Sequence, residues 1–252
     1  NLVLARVVDG YDTNVSGVDF AGGLEGTPGQ PNPEREPVVC VPSTGGVVVN
    51  ELLPDPAGDD AGFEWFELYN STDEDVSVAG WWLSMATKYD QIEDVDFRFP
   101  GGIVVPARGF LLVGGEGVEN ADVVGTFSMG NGTGGDGLLL YDCEDQLLDV
   151  ALYGDQNVDG IPDESGMVMD PVGKPGNDDS MARREDGVDT DDVVDWFVDY
   201  SPTPGASNAS GGNPGGGDEA GCGRNAEPGQ GCSRGAPTAG ASGGGCSVIP
   251  MP

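Results

Sequence analysis

The chain has 252 residues, with 44 Asp plus Glu against 10 Lys plus Arg and no histidine, for a formal net charge of -34. Without histidine there is no Ser-His-Asp or Cys-His nucleophile system, no imidazole ligand for a metal and no ordinary proton shuttle near neutral pH. So acidic a surface repels phosphate backbones and anionic lipids and holds few bases to release their counterions, so nucleic acid is excluded as an expected partner. Gly 44 and Pro 19 approach low-complexity composition, yet 37% of residues are hydrophobic and fall in short runs, which predicts a folded core with disordered flanks. No apolar run reaches the ~18 residues of a membrane span.

The first residues repeat a later segment. LARVVDGYDTNVSGVDF followed by TPGQPN matches MARREDGVDTDDVVDWF followed by TPGASN. Ala5-Arg6 aligns with Ala182-Arg183, Asp9-Gly10 with Asp186-Gly187, Asp12-Thr13 with Asp189-Thr190, Phe20 with Phe197, and Thr27-Pro28-Gly29 with Thr203-Pro204-Gly205. Residues 1–32 are therefore expected to be the C-terminal remnant of a preceding copy, poorly ordered or paired opportunistically, and the start at Asn1 reads as processed or truncated. Residues 33–45, Pro-rich and Gly-terminated, predict a linker.

From residue 46 to 208 short apolar or alternating runs recur between turn signals: 47–53, 64–70, 78–84, 96–99, 102–105, 109–114, 121–127, 137–142 and 147–153. Such spacing, without a sustained 3.6-residue period, predicts an all-β sandwich. In EWFELYN, Phe66 and Leu68 alternate with Trp65, Glu67 and Tyr69, so one face is expected to meet the core. The last pair reads as a hairpin joined by Cys143-Glu144-Asp145-Gln146, with Leu148, Val150 and Leu152 facing one way and Asp149 the other. After Asn208 the composition turns to Gly, Ser, Pro and Ala, and residues 209–252 are expected to be a disordered tail.

The ordered set VVVNELLPDPAGDDAGFEWFELYN, VAGWWLS, FRFPGGIVVPARGFLLVG, ADVVGTFSMGNGTGGDGLLLYD, SMARREDGVDTDD and TPGASN resembles the bacterial lamin tail domain. The resemblance implies an immunoglobulin-like β-sandwich of secreted and surface proteins with no catalytic residues to carry over. It also implies a structural role for Asn50-Glu51 and for Glu64 to Asn70, as polar residues bonding neighbouring turns, and a core position for Trp81. GGGCSVIPMP at the C-terminal end resembles the start of the Cys-containing surface-sorting signals of myxobacterial proteins. Under that resemblance Cys246 is the anchoring cysteine; otherwise it is an unpaired thiol in the tail.

One loop has calcium-like spacing. In DQNVDGIPD, Asp155, Asn157, Asp159 and Asp163 stand at relative positions one, three, five and nine with Gly160 at six, so alternate oxygens can turn toward one centre. Gly166 takes position twelve, where a bidentate Glu is usual, so Glu164 or another carboxylate would have to complete the shell. A merely soluble Asp/Asn/Gly-rich loop is an equal reading. The runs Asp55 to Asp60, Asp73 to Asp75 and Asp186 to Asp195 read first as solvated acidic faces. Glu64 and Glu67 show no cleft between them that a glycosidase pair would need.

Cys40, Cys143, Cys222, Cys232 and Cys246 fit no metal-ligand spacing and sit at loop-like positions, the habit of an oxidising compartment. Cys40 with Cys143 is the favoured pair, because it would pin the linker to the hairpin; Cys222 with Cys232 would close a small loop. The expectation is a non-catalytic, extracellular or cell-surface structural and adhesion module with calcium as a candidate cofactor and an unidentified protein or cell-envelope partner. The alternatives are an accessory module of a larger extracellular hydrolase, a nuclease or phosphatase, and a salt-adapted intracellular protein with free thiols.

Overall fold

The computed structural model describes residues 2–6, 20–25, 27–31 and 40–208, apart from 59, 61, 132, 133 and 172. Two early strands, β1 (Leu2–Arg6) and β2 (Phe20–Glu25), form an antiparallel pair with Arg6 opposite Phe20 and Leu2 opposite Glu25. The remaining strands are β3 (Val47–Leu53), β4 (Trp65–Asn70), β5 (Val76–Ser77), β6 (Trp82–Ala86), β7 (Phe97–Arg98), β8 (Val104–Val105), β9 (Phe110–Gly114), β10 (Val123–Val124), β11 (Gly135–Tyr141), β12 (Leu147–Gly154), β13 (Ser180–Arg183) and β14 (Trp196–Asp199). Among the described residues, helical backbone falls at Tyr89–Gln91, Val193–Asp195 and Asn208, all of it 3-10.

Two sheets carry the fold, a six-stranded one in the order β10-β9-β4-β3-β13-β14 and a four-stranded one in the order β12-β11-β6-β7. Neighbours are antiparallel except β9 and β10, and β5 pairs with β8 apart from both sheets. This is the β-sandwich that the alternating runs predict, of the immunoglobulin-like kind that the family resemblance implies. Period-two alternation explains the layers. Val49, Phe66, Leu68, Leu111 and Val113 of the larger sheet meet Leu83, Met85, Leu138, Leu140 and Tyr153 of the smaller one in a single core. The alternate residues also find cover: Leu139, Tyr141, Val150 and Leu152 join Ile161 and Trp82 in a second cluster, and Leu53, Trp65 and Leu112 form a third.

Two local departures from the predicted strands have clear causes. The run 78–84 is not one strand: Trp81 N–H donates to Val78 O in a turn with Gly80 at φ 81, and extended pairing starts at Trp82. Leu148 does not share a face with Val150 and Leu152. Leu140 lies opposite Asp149 while Tyr141 lies opposite Leu147, so Leu148 is the extra residue of a bulge and packs on the main core.

The segment 40–45 is tied to the sandwich. Cys40 and Cys143, the favoured pair, are disulfide-bonded with Cα atoms 5.5 Å apart. Buried Trp81 donates its indole N–H to Val41 O at 2.8 Å, and Ser43 N–H donates to Asp142 Oδ2 at 3.1 Å. Asp142 also accepts from the amides of Glu144 and Gln146, which shapes the β11–β12 hairpin turn. Cys222, Cys232 and Cys246 lie outside the described residues, as do 33–39 and the tail 209–252.

Candidate functional site

Buried polar groups gather in two places beside β3. The first is built on the bulge between Val49 and Glu51, which turns both Asn50 and Glu51 into the interior. Glu51 accepts from Ser180 Oγ and from the amide and hydroxyl of Thr203, both at 3.2 Å. On the neighbouring strand, Glu67 accepts from Gly205 N–H and from Asn50 Nδ2. Asn50 Oδ1 accepts from Gly187 N–H at 3.1 Å. Gly187 is required there, since at φ 70 an added Cβ would come 2.5 Å from the Tyr69 ring.

Asn208 closes this clasp by donating its amide to Asn50 O and Arg183 O, while its backbone N–H donates to Asp186 Oδ1. The TPGASN segment is held at its middle by a tight turn, Ala206 N–H to Thr203 O at 2.9 Å with Gly205 at φ 79. That turn has a counterpart in Gln30 N–H to Thr27 O at 3.0 Å with Gly29 at φ 75. Around Glu51 and Glu67 the donors are neutral, so their hydrogen bonds offset only part of the cost of burying charge. Burial pushes the Glu51 carboxyl up to about 7 and the Glu67 carboxyl up to about 8. Asn70, at the far end of β4, donates to Glu74 O and Val105 O and caps Thr72.

The second place is centred on Arg183 of β13, a fully buried side chain. Its Nε donates to Val49 O at 2.8 Å, one terminal nitrogen to Val188 O and Asp189 Oδ1, and the other to Asp149 Oδ1 at 2.8 Å. The guanidinium stacks 4.4 Å from the Trp196 ring centroid. Asp149 Oδ2 accepts from Val49 N–H at 2.6 Å. Burial raises the Asp149 carboxyl to about 6 against the pull of Arg183, so the pair stays ionised at pH 7. Burial alone would lower the Arg183 pKa, and Asp149 and Asp189 more than reverse that.

The calcium-like loop is dispersed. Asp155 and Asp159 are exposed, while Asn157 is buried and uses its side chain on Ile161 N–H, Ile161 O and Met169 O. Asp163 is buried, and its Oδ1 accepts from Ser165 Oγ and Met167 N–H. Among the described residues, the carboxylates that do converge are Asp149, Glu164 and Asp189, with ligand atoms all within 4.8 Å of one another. Of these, only Glu164 belongs to the neighbourhood that the loop spacing singles out. The single Asp of the apolar run 147–153 and the Arg of the repeated Ala-Arg pair each mark a charge on a strand, but nothing in the sequence joins the two.

Glu64 and Glu67 do not face each other across a cleft. Glu67 is in the clasp, whereas Glu64 accepts from Met129 N–H at 2.9 Å and lines a groove of about 480 Å³ with Phe63, Gly115, Gly117 and Phe127. Burial pushes the Glu64 carboxyl up to about 7. Among the described residues, no helix is long and apolar enough to cross a membrane.

Residues 41–155 match the family model described as Lamin Tail Domain. The match starts beside the disulfide and stops at the end of β12, before β13 and β14, whose hairpin and following turn supply the clasp partners of Glu51 and Glu67. No curated protein matches the chain.

Proposed function

Given that this chain carries a lamin tail domain, we propose that it is a non-catalytic structural and adhesion module of the extracellular space or cell surface. The family is one of non-catalytic immunoglobulin-like domains, and its fold is compatible with a module that spaces and presents surfaces. The observation that carries the reading is the Cys40–Cys143 bond, which closes 103 residues of chain and belongs to an oxidising compartment. The carboxyls of Glu51 and Glu67 are taken up by donors of the same chain and so serve cohesion.

Binding then falls to strand edges and loops. β14 ends the larger sheet and β12 the smaller one, and each edge can be extended by a protein strand. The strongly negative surface keeps such contacts selective by repelling acidic neighbours. Under this reading Cys246 is the anchoring cysteine.

Fractionation of producing cells with immediate thiol trapping tests the proposal. The expected result is protein in the envelope or medium with Cys40 and Cys143 linked, and saturable retention of added labelled protein by envelope preparations. Recovery from the cytosol with both thiols free would overturn it.

A further inference from the structure

Three segments that are remote in sequence bring acids together beside the Arg183 centre: β12 with Asp149, the loop after Ile161 with Asp163 and Glu164, and the loop after β13 with Asp189, Asp191 and Asp192. Between the two loops lies a cavity of about 20 Å³, lined by Asp163, Glu164, Asp189, Asp191 and Asp192 with Trp196 at one wall. That is room for one small sphere such as a water or an ion.

Two features show that this is more than a solvated acidic face. Asp163 is only 5% exposed, and its Oδ2, together with Oε2 of Glu164, is buried without a hydrogen-bond partner, although both residues line the cavity. A buried carboxylate oxygen left unpaired costs free energy that a bound cation would recover. The charge is also unbalanced. Arg183 brings one positive charge to Asp149, Asp189 and Asp195, and Glu164 stands in contact with Asp191, one carboxyl against another.

We propose that Glu164 and Asp189 bind one divalent cation of the calcium class in this cavity, with Asp163 and Asp191 completing its surroundings; Asp149, which does not line the cavity, keeps its oxygens on Arg183 and Val49 N–H. The geometry fits: oxygens bound to one calcium at ~2.3–2.6 Å lie at most about 5 Å apart, and carboxylate oxygens of Glu164 and Asp189 are within 4.8 Å of each other. An all-oxygen, carboxylate-rich set suits a hard cation and not zinc or copper. The ion would fasten the loop after Ile161 to the loop after β13. The proposal goes beyond the adhesion reading and stands without it.

The test uses the full chain after chelator treatment, titrated calorimetrically with calcium chloride alone and, separately, with terbium excited through tryptophan, since Trp196 lines the cavity. Saturation near one calcium per chain, sensitised terbium emission that calcium displaces, and at least tenfold weaker calcium binding in Glu164→Gln are expected. The double variant Asp155→Ala/Asp159→Ala should bind as the wild type does. Glu164→Gln removes no hydrogen bond from its unpaired oxygen, so it keeps the test valid where Asp189→Asn, which loosens Arg183, fails to fold. No saturable calcium binding, or binding unchanged in Glu164→Gln, would overturn the site.

Discussion

On one side of β3, Glu51 and Glu67 are buried among amides and hydroxyls; on the other, Asp149 is buried against a guanidinium. The first pair escapes the cost of burial by holding protons, which is why their pKa values rise to about 7 and about 8. The second pays that cost with a fixed opposite charge and an aromatic stack, so it stays ionised. The difference teaches that the two clusters respond to different perturbations. Removing Arg183 should be disastrous at any neutral pH, while the clasp should tolerate loss of charge and resist only the loss of donors.

The largest expected effect follows from cutting the ion pair. Arg183→Met leaves Asp149 buried and unpaired beside Asp189 and should cost about 3–5 kcal/mol, read as a shifted urea midpoint or as failure to fold. Restoring balance with Asp149→Leu in the same chain should recover much of that loss, whereas a purely steric role for Arg183 predicts no recovery. Next comes the disulfide, which lies outside both clusters. Replacing Cys40 and Cys143 by Ser should lower stability by roughly 2–4 kcal/mol, because the unfolded chain regains the freedom of a 103-residue loop. Smallest is Thr203→Val, which removes one hydroxyl donor from Glu51 and should cost about 1 kcal/mol in denaturant melts. A clasp dominated by the other donors would tolerate it, and a loss above that of Arg183→Met would reverse the ranking.

Much of the sandwich was readable because its cause is local. Alternating runs such as WFELYN and GLLLY carry their own face assignment, and the turn at Cys143 to Gln146 announces itself by composition. What escaped depends on contacts between distant segments. The bulge that flips Leu148 is set by pairing with β11, and no feature of LLDVALY alone requires it. Arg183 meets Asp149 across 34 residues and Val49 across 134, so the ion pair is invisible to any window of sequence. The loop spacing at Asp155, Asn157, Asp159 and Asp163 is a pattern of positions, but Asn157 commits its side chain to backbone groups of Ile161 and Met169.

The central claim is that the signature acids Glu51 and Glu67 close the fold as neutral, buried groups. Their pKa values lie above the ordinary 4.5, so the native state holds protons that the unfolded chain has given up. Their contribution is therefore whole below about pH 4.5 and is lost as pH rises through 7 and 8. The measurement is stability against pH for wild type and for Glu51→Gln/Glu67→Gln by urea melts from pH 5 to 9. The wild type should lose on the order of 3 kcal/mol across that range, and the variant should fold and lose less, keeping the part of the slope that Glu64 and Asp149 contribute. A variant that keeps the full wild-type slope, or a wild type more stable at pH 9 than at pH 5, would contradict the account.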